Sequence, residues 1–183
     1  CTSAWDVLTG AVPVGQEVIV YDGTGRHPAP LVAEMAVRHG GHVSFASIDG
    51  MLAQELTYSE RTIWKREFYN LSLTGLFDQR LKRVERAKNR LAATLVNVTT
   101  GQETVWSGDQ VVVEHGTQPA DELFHSLRAH SGNDGVTNLD ALVSLQPQNR
   151  MNGGFELHRV GDAVASRNIA ASVFDSLRLC YVI

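Results

Sequence analysis

The sequence has few of the features that define several large protein classes. It contains two cysteines, Cys1 and Cys180, at opposite ends of 183 residues, with no CxxC pair and no Cys/His spacing of a zinc site. A disulfide framework and a zinc centre are therefore not expected, and a reduced, cytoplasmic setting is the simplest inference. No apolar run approaches the roughly 18 to 20 residues of a membrane span, and no signal peptide opens the chain. We therefore expect no membrane segment.

Positive charge is also scarce. The chain has 16 Lys and Arg against 20 Asp and Glu, a formal net charge of -4, and no run of five or more basic residues. Because nucleic-acid binding usually needs a basic patch, we do not expect nucleic acid as a partner. The seven histidines show no HxxxH or HxH spacing, and no serine lies in a GxSxG motif. The sequence thus predicts no metal centre, no hydrolase and no catalytic residue of its own.

What is present begins with a strand, helix, strand unit. The run Glu17–Asp22 (EVIVYD) is rich in β-branched residues, which is typical of a strand buried on both faces. Apolar residues at helical spacing over 31–39 predict a helix, and 42–47 (HVSFAS) predicts a second strand. The crossover of such a unit is right-handed, so the sequence predicts an α/β fold with a central parallel sheet.

The rest of the chain extends this pattern. Thr57 and Glu60 are spaced like a capping box and predict the start of a helix. The predicted elements are a helix over 59–73, an antiparallel β-meander over 80–107, a buried strand over 109–114, an irregular stretch over 131–154, a last strand over 155–160 and a closing helix over 168–179. Together they predict a Rossmann-like three-layer fold, a central parallel sheet with an antiparallel meander.

The first candidate binding site is the glycine turn after the first strand, formed by Gly23, Thr24, Gly25 and Arg26. A strand that ends at such a turn before a helix directs free backbone N–H groups and the positive end of a helix dipole toward a phosphate. The two glycines match the first two of GxGxxG, but Pro28 stands at the third position and has no N–H. Phosphate binding and an ordinary tight turn remain equal alternatives.

Two weaker signals follow. Ser47 ends the second strand, and Asp49 could bind a ribose hydroxyl or serve as a turn residue before Gly50. These residues do not choose between NAD and NADP. Gly161 and Asp162 precede the closing helix, where the acid could hold a sugar or ribityl hydroxyl or act as a plain helix N-terminal acid.

Three blocks of sequence carry a resemblance to a known family. They are VIVYDGTGRHPAPLVAEMAVRHGGHVSFAS, DQVVVEHGTQPADELFHSL and HRVGDAVASRNIAASVFDSLRLC, and they occur in family order. They resemble the C-terminal nucleotide-binding region of the trimethylamine dehydrogenase and 2,4-dienoyl-CoA reductase (NADH:flavin oxidoreductase) family. The likeness is greatest to its dimethylamine or histamine dehydrogenase-like and N-methylproline demethylase-like members.

The resemblance implies that the chain is a fragment of a larger flavoprotein. An N-terminal TIM barrel of the parent would hold FMN and a 4Fe-4S cluster outside this chain, followed by two nucleotide-binding domains arranged as in the disulfide reductases. Residues 1–155 would be the NAD(P)-binding-like domain, with the meander near 80–107, and 156–183 would be the terminal strand and helix of the FAD or ADP half. NAD(P)H or ADP would be the ligand of this region.

By the same resemblance, the phosphate turn of the pyridine-nucleotide half corresponds to Gly23, Thr24 and Gly25. Gly116 corresponds to the glycine after the second cofactor-side strand, and Gly161 and Asp162 to the block that contacts a flavin or ADP. The implied function is a nucleotide-binding-like domain of an amine dehydrogenase, demethylase or dienoyl-CoA reductase type of oxidoreductase, inactive alone. The alternative is a structural or interaction module with a vestigial nucleotide site. The barrel is the expected partner, and association between copies of the chain stays open.

Overall fold

The computed structural model describes residues 1–148 and 154–183. The chain divides into two compact units, Cys1–Gly116 and Thr117–Ile183. In chain order, the first unit contains β1 (Thr2–Ser3), α1 (Ala4–Leu8), β2 (Glu17–Asp22), α2 (Pro28–Arg38), β3 (His42–Ser47), α3 (Tyr58–Asn70), β4 (Gly75–Leu76), β5 (Gln79–Ala87), β6 (Arg90–Asn97), β7 (Glu103–Gly108) and β8 (Gln110–Glu114).

The first unit is built on a five-stranded parallel sheet with the order β1-β8-β2-β3-β4. β2 lies in the centre, where Val20 pairs with Phe45 of β3 on one side and with Val112 of β8 on the other. The strands β5, β6 and β7 form a separate antiparallel sheet in chain order. The predicted fold class, a central parallel sheet with an antiparallel meander, is confirmed.

The two faces of β2 pack against different layers, because successive side chains of a strand point to opposite sides. Val18 and Val20 belong to a core cluster with Val32 of α2 and Phe68 of α3. Ile19, between them in sequence, packs in a second cluster with residues of β6, among them Leu95. Helices, parallel sheet and antiparallel sheet thus form three layers, and burial on both faces explains why β2 is so apolar.

The helices of this unit begin and end at residues suited to those positions. α2 starts at Pro28, three residues before the predicted start, because proline fits the first helical turn, where no N–H donor is needed. It ends before Gly40, which has a φ of +84°. The predicted capping box of α3 is confirmed, since Thr57 N donates to Glu60 Oε2 at 3.0 Å.

The second unit contains α4 (Glu122–Leu127), α5 (Leu139–Val143) and α6 (Ile169–Cys180), with short 3-10 turns at Arg128–His130 and Gly161–Ala163. The closing helix is confirmed as α6. The predicted strand over 155–160 is wrong: Leu157 N donates to Asn133 Oδ1 and Asn133 Nδ2 donates to Leu157 O, both at 2.9 Å. A side-chain amide thus replaces the neighbouring strand that a β-ladder requires.

Two further predictions concern an irregular stretch and membrane-spanning segments. The stretch over 131–154, predicted to be irregular, includes α5, and its residues 149–153 lie outside the described residues. Within the described parts, no helix combines the length and apolar character needed to traverse a lipid bilayer.

Candidate nucleotide site at the glycine turn

The carboxyl ends of β2, β3 and β8 meet at one edge of the parallel sheet, since these strands are neighbours and run in the same direction. This edge is where nucleotides bind in open parallel sheets. Seven of the nine predicted site residues lie at or directly after these strand ends: Gly23, Thr24, Gly25, Arg26, Ser47, Asp49 and Gly116. Gly161 and Asp162 lie in the second unit.

Gly23 joins the ends of β2 and β8. Its N–H donates to Glu114 O at 2.8 Å. A Cβ at this position would lie 2.9 Å from His115 Nδ1 and 3.0 Å from Glu114 O, so a side chain would push the two strand ends apart. The His115 ring also packs 5.3 Å from the ring of Tyr21. Gly23 therefore serves close packing between strands, and its N–H is already used.

The amides of the glycine turn are bound by Asp22, the last residue of β2. Asp22 Oδ1 accepts hydrogen bonds from Thr24 N at 3.0 Å and from Gly25 N at 2.9 Å. This is the local side-chain to backbone bonding by which aspartate stabilises turns. The N–H groups that the sequence predicts to face a phosphate are therefore hydrogen-bonded to a carboxylate of the chain itself.

The turn is also covered by the loop over 48–57. Gly25 has a φ of +64° and is buried, and its carbonyl accepts a hydrogen bond from Glu55 N at 3.1 Å. A Cβ on Gly25 would lie 2.5 Å from Asp49 Oδ2 and 3.2 Å from Glu55 N. Glycine is thus required here by its φ and by the residues packed against it, and the space next to the turn is filled by protein.

Three carboxyl groups make this space unfavourable for an anion. Burial raises the pKa of Asp22, and the nearby charge of Asp49 raises it further, against the opposing hydrogen bonds from the turn. Burial and then the charge of Glu55 raise the pKa of Asp49. The Oδ2 atoms of Asp22 and Asp49 are both buried, and neither has a hydrogen-bond partner within residues 1–148 and 154–183. A pyrophosphate at this turn would add negative charge beside groups that already resist ionisation.

The other residues of this edge are also engaged. Ser47 is fully buried, and its Oγ accepts a hydrogen bond from Asp49 N at 3.1 Å. Gly116, with a φ of +84°, donates its N–H to Glu114 Oε1 at 2.8 Å. Arg26 is exposed on the turn. Two buried acids, Asp22 at the end of β2 and Glu114 at the end of β8, therefore accept hydrogen bonds from the backbone amides of this edge. In a nucleotide site these amides would be free to bind the ligand.

Sequence reasoning missed the two acids that organise this edge, Asp22 and Glu114. Both residues end segments that the sequence predicts as strands. The signal for the first was present in the sequence, because an aspartate directly before Gly-Thr-Gly is typical of a turn in which its carboxylate accepts the following amides.

In the second unit, Gly161 and Asp162 form a 3-10 turn before α6. Gly161 has a φ of +57°, and a Cβ there would lie 2.9 Å from Ser172 Oγ. The cap of α6 is Asn168, whose Oδ1 accepts a hydrogen bond from Ala171 N at 2.8 Å, so Asp162 is not the capping acid. Asp162 is exposed.

A metal centre has no evident basis in the part of the chain that the structure covers. Within residues 1–148 and 154–183, no three His, Cys, Asp or Glu side chains come together in a way that could hold a metal ion. Both cysteines are free and exposed.

No model of a protein family matches the chain. Several curated proteins are similar to it in sequence. The chain is 38% identical over 185 residues to the multifunctional alkene reductase/demethylase OYE of Caballeronia cordobensis, with 98% of the chain and 27% of that protein covered. It is 36% identical over 180 residues to a probable N-methylproline demethylase of Rhizobium meliloti (strain 1021), with 97% and 26% covered. The chain spans about a quarter of the length of these relatives, and the resemblance expected from the sequence is confirmed.

Solved structures show the same fold. A 6-hydroxypseudooxynicotine amine oxidase from Pseudomonas geniculata N1 matches 99% of the chain with 24% of its own length, at a TM-score of 0.74 and 20% identity. Histamine dehydrogenase from Rhizobium sp. 4-9 matches 99% with 25% of its length, at a TM-score of 0.71 and 18% identity. The thioredoxin reductase of T. acidophilum matches 97% with 55% of its length, at a TM-score of 0.62 and 14% identity. The fold is therefore shared with segments of larger oxidoreductases.

Proposed function

We propose that this chain is the nucleotide-binding-like C-terminal region of a larger parent protein. The parent is an oxidoreductase of the trimethylamine dehydrogenase and 2,4-dienoyl-CoA reductase family. The observation that carries the proposal is the unequal coverage of the alignments, which include 97% to 98% of the chain but 26% to 27% of the relatives. In this proposal the chain supports the parent's fold and is inactive alone. FMN and the 4Fe-4S cluster are held by the barrel of the parent.

The parent's reaction is proposed from its relatives. Their names describe an alkene reductase and demethylase, an N-methylproline demethylase and an N,N-dimethylglycine/sarcosine dehydrogenase. We therefore place the parent among enzymes that transfer a hydride or electrons between a flavin and either an N-methylated amine or an enoyl-type substrate. Residues 1–155 would then belong to the NAD(P)-type domain and 156–183 to the flavin or ADP half.

A second candidate function for the first unit is a structural or interaction module with a vestigial nucleotide site, and a specific observation favours it. Asp22 Oδ1 already holds Thr24 N and Gly25 N, and Asp49 fills the space beside the turn. The pyrophosphate of NAD(P)H or ADP does not fit this turn unless the carboxylate moves away and the loop over 48–57 opens. We therefore propose that the glycine turn of this chain serves packing.

The residues of the second unit fit a ligand better. Asp162 is exposed, is not used as a helix cap, and can accept a hydrogen bond from a hydroxyl group. We propose that Gly161 and Asp162 contribute to a flavin or ADP site whose other residues come from the rest of the parent.

The parent is tested by expressing the complete reading frame that contains this sequence and measuring bound flavin, iron and acid-labile sulfide. We expect all three in the complete protein and none in the 183-residue chain, which is the matched control. A complete reading frame that lacks a barrel and a cysteine cluster, or that binds no flavin, would contradict the proposal.

The glycine turn is tested by thermal melting of the chain with NADH, NADPH and ADP, and with adenosine as the control without phosphates. A ligand at 100 times its Kd stabilises by about 2.7 kcal/mol, which shifts the Tm by several degrees. We expect no shift for the wild type. Asp22→Ala frees two amides and removes a charge, so we expect it to bind ADP more tightly than the wild type does. A clear shift of the wild type with NADH or NADPH would show that the turn binds its nucleotide.

A further inference from the structure

A concave surface lies along α3 in the first unit, and it shares no residue with the glycine turn. This α3 groove is bounded by α3, by the residues 50–52 after β3 and by the residues 73–77 around β4, and its volume is about 770 Å³. Small-molecule sites have volumes of about 300 to 1,000 Å³ and are mostly apolar with a few polar groups. The size of the α3 groove is therefore that of a ligand site.

The floor of the α3 groove is apolar and its ends are aromatic. Leu52, Phe68 and Leu73 line it and are at most 9% exposed. Tyr58 and Tyr69 stand on its rim and are 81% and 75% exposed. They lie eleven positions apart on α3, which corresponds to about 16 Å along the helix axis. An elongated apolar or aromatic body would cover this floor and contact the rim.

The charged groups that line the α3 groove are all cationic. Arg61, Lys65 and Arg66 line it, and no Asp or Glu is among its described lining residues, although the chain as a whole has a net charge of -4. Arg66 lies 4.0 Å from the carboxylate of Glu67, which also pairs with Arg38 at 3.5 Å. The local excess of positive charge therefore faces the groove.

Arg61 is the group that distinguishes this surface from an ordinary solvated helix face. Its Nε is buried and has no hydrogen-bond partner among the described residues. Its guanidinium donates to the thioether of Met51 at 2.7 Å and to Leu56 O at 3.5 Å, which are neutral acceptors. Sulfur is a weak acceptor, and a charged group that is partly removed from water without a counter-ion costs free energy. A bound anion would supply the missing counter-ion to the part of the guanidinium that lines the groove.

We propose that the α3 groove is a binding site for an organic anion with an aromatic or other flat apolar body. The anionic group is held by Arg61 and Lys65, and the apolar body lies on Leu52 and Phe68 between the two tyrosines. Charge complementarity selects the anion, and the apolar floor selects the body.

The proposal is tested with indole-3-acetate and its neutral analogue indole-3-acetamide, added separately to the isotope-labelled chain and followed by amide chemical shifts. We expect indole-3-acetate to shift amides within residues 50–77. One charge-assisted hydrogen bond contributes enough to make the neutral amide bind about tenfold more weakly. Arg61→Gln and Lys65→Gln should each weaken binding of the acetate, while Lys82→Gln on β5 should leave it unchanged.

Three results would overturn the proposal: equal shifts with both compounds, shifts confined to the second unit, or binding that Lys65→Gln leaves unchanged. Lys65 is exposed, so its variant keeps the test valid if Arg61→Gln fails to fold. Binding of an acidic tyrosine-containing peptide without any response to indole-3-acetate would instead assign the groove to a protein segment.

Discussion

Replacing Asp22 by alanine removes the acceptor that holds the glycine turn. Two amides, Thr24 N at 3.0 Å and Gly25 N at 2.9 Å, lose their partner. A buried donor left unsatisfied costs about 1 to 3 kcal/mol, so with two donors affected we expect Asp22→Ala to lower the free energy of unfolding by about 2 to 6 kcal/mol. The lower end of this range applies if water enters the turn and satisfies one amide.

Asp22→Asn is the matched control. The asparagine Oδ1 can accept both hydrogen bonds, and the change removes a charge from a fully buried position, so we expect an effect within about 1 kcal/mol. Urea unfolding followed by tryptophan fluorescence measures both variants. Because Trp5, Trp64 and Trp106 all lie in Cys1–Gly116, this signal reports on the first unit. Equal unfolding midpoints for the two variants would refute the conclusion that the carboxylate holds the turn.

Three further predictions concern the same unit. Gly25→Ala should cost about 1 to 2 kcal/mol because of its positive φ, and the contact of the new Cβ with the Asp49 carboxylate should add to this cost. Gly10 has a similar φ but open space around it, so Gly10→Ala is the control and should be less destabilised in urea than Gly25→Ala. Burial raises the pKa of Asp22 in the folded state, so the folded chain binds its proton more tightly than the unfolded chain. The stabilising contribution of the protonated Asp22 is then lost as the pH rises above its unfolded pKa of about 3.9 and through its raised folded pKa. The free energy of unfolding of Asp22→Asn, relative to that of the wild type, should therefore rise over that pH interval. Trp64→Phe replaces the indole by a smaller aromatic ring and loses the 3.0 Å hydrogen bond from Nε1 to His27 Nδ1. It should cost about 0.5 to 1.5 kcal/mol, and unchanged thermal stability by circular dichroism would contradict this.

The parallel sheet could be predicted from the sequence because its strands have a simple physical signature. β2 and β8 are buried on both faces, so both side-chain rows are apolar and the strands appear as continuous β-branched runs. The antiparallel sheet could also be predicted, because the turn pairs Lys88-Asn89 and Thr100-Gly101 separate its strands. In the structure, Lys88 and Gly101 have positive φ. These features depend on residues close together in the chain.

The strand predicted over 155–160 shows where such patterns fail. A strand is defined by its neighbour, and the backbone of Leu157 is paired with the side chain of Asn133. Nothing within the six residues of the segment specifies that partner.

The state of the glycine turn was also beyond local reasoning. Its two glycines lie directly after β2, but the groups that cover Gly25 come from Asp49 and Glu55, far along the chain. The α3 groove was missed for a related reason. Arg61 and Lys65 follow the spacing of a solvent-exposed helix face, and only the packing of Met51 and Leu56 around the guanidinium reveals the difference.

The position of β8 has a consequence for how the first unit can be assembled. β8 is the last strand of this unit to be synthesised, yet it lies between β1 and β2 in the sheet. Until residues 110–114 are available, β2 is paired on one side only, and its open edge displays unpaired backbone N–H and C=O groups with which another chain can pair. Nascent or truncated chains that stop before residue 110 should therefore self-associate, and chaperone capture is most useful in that interval.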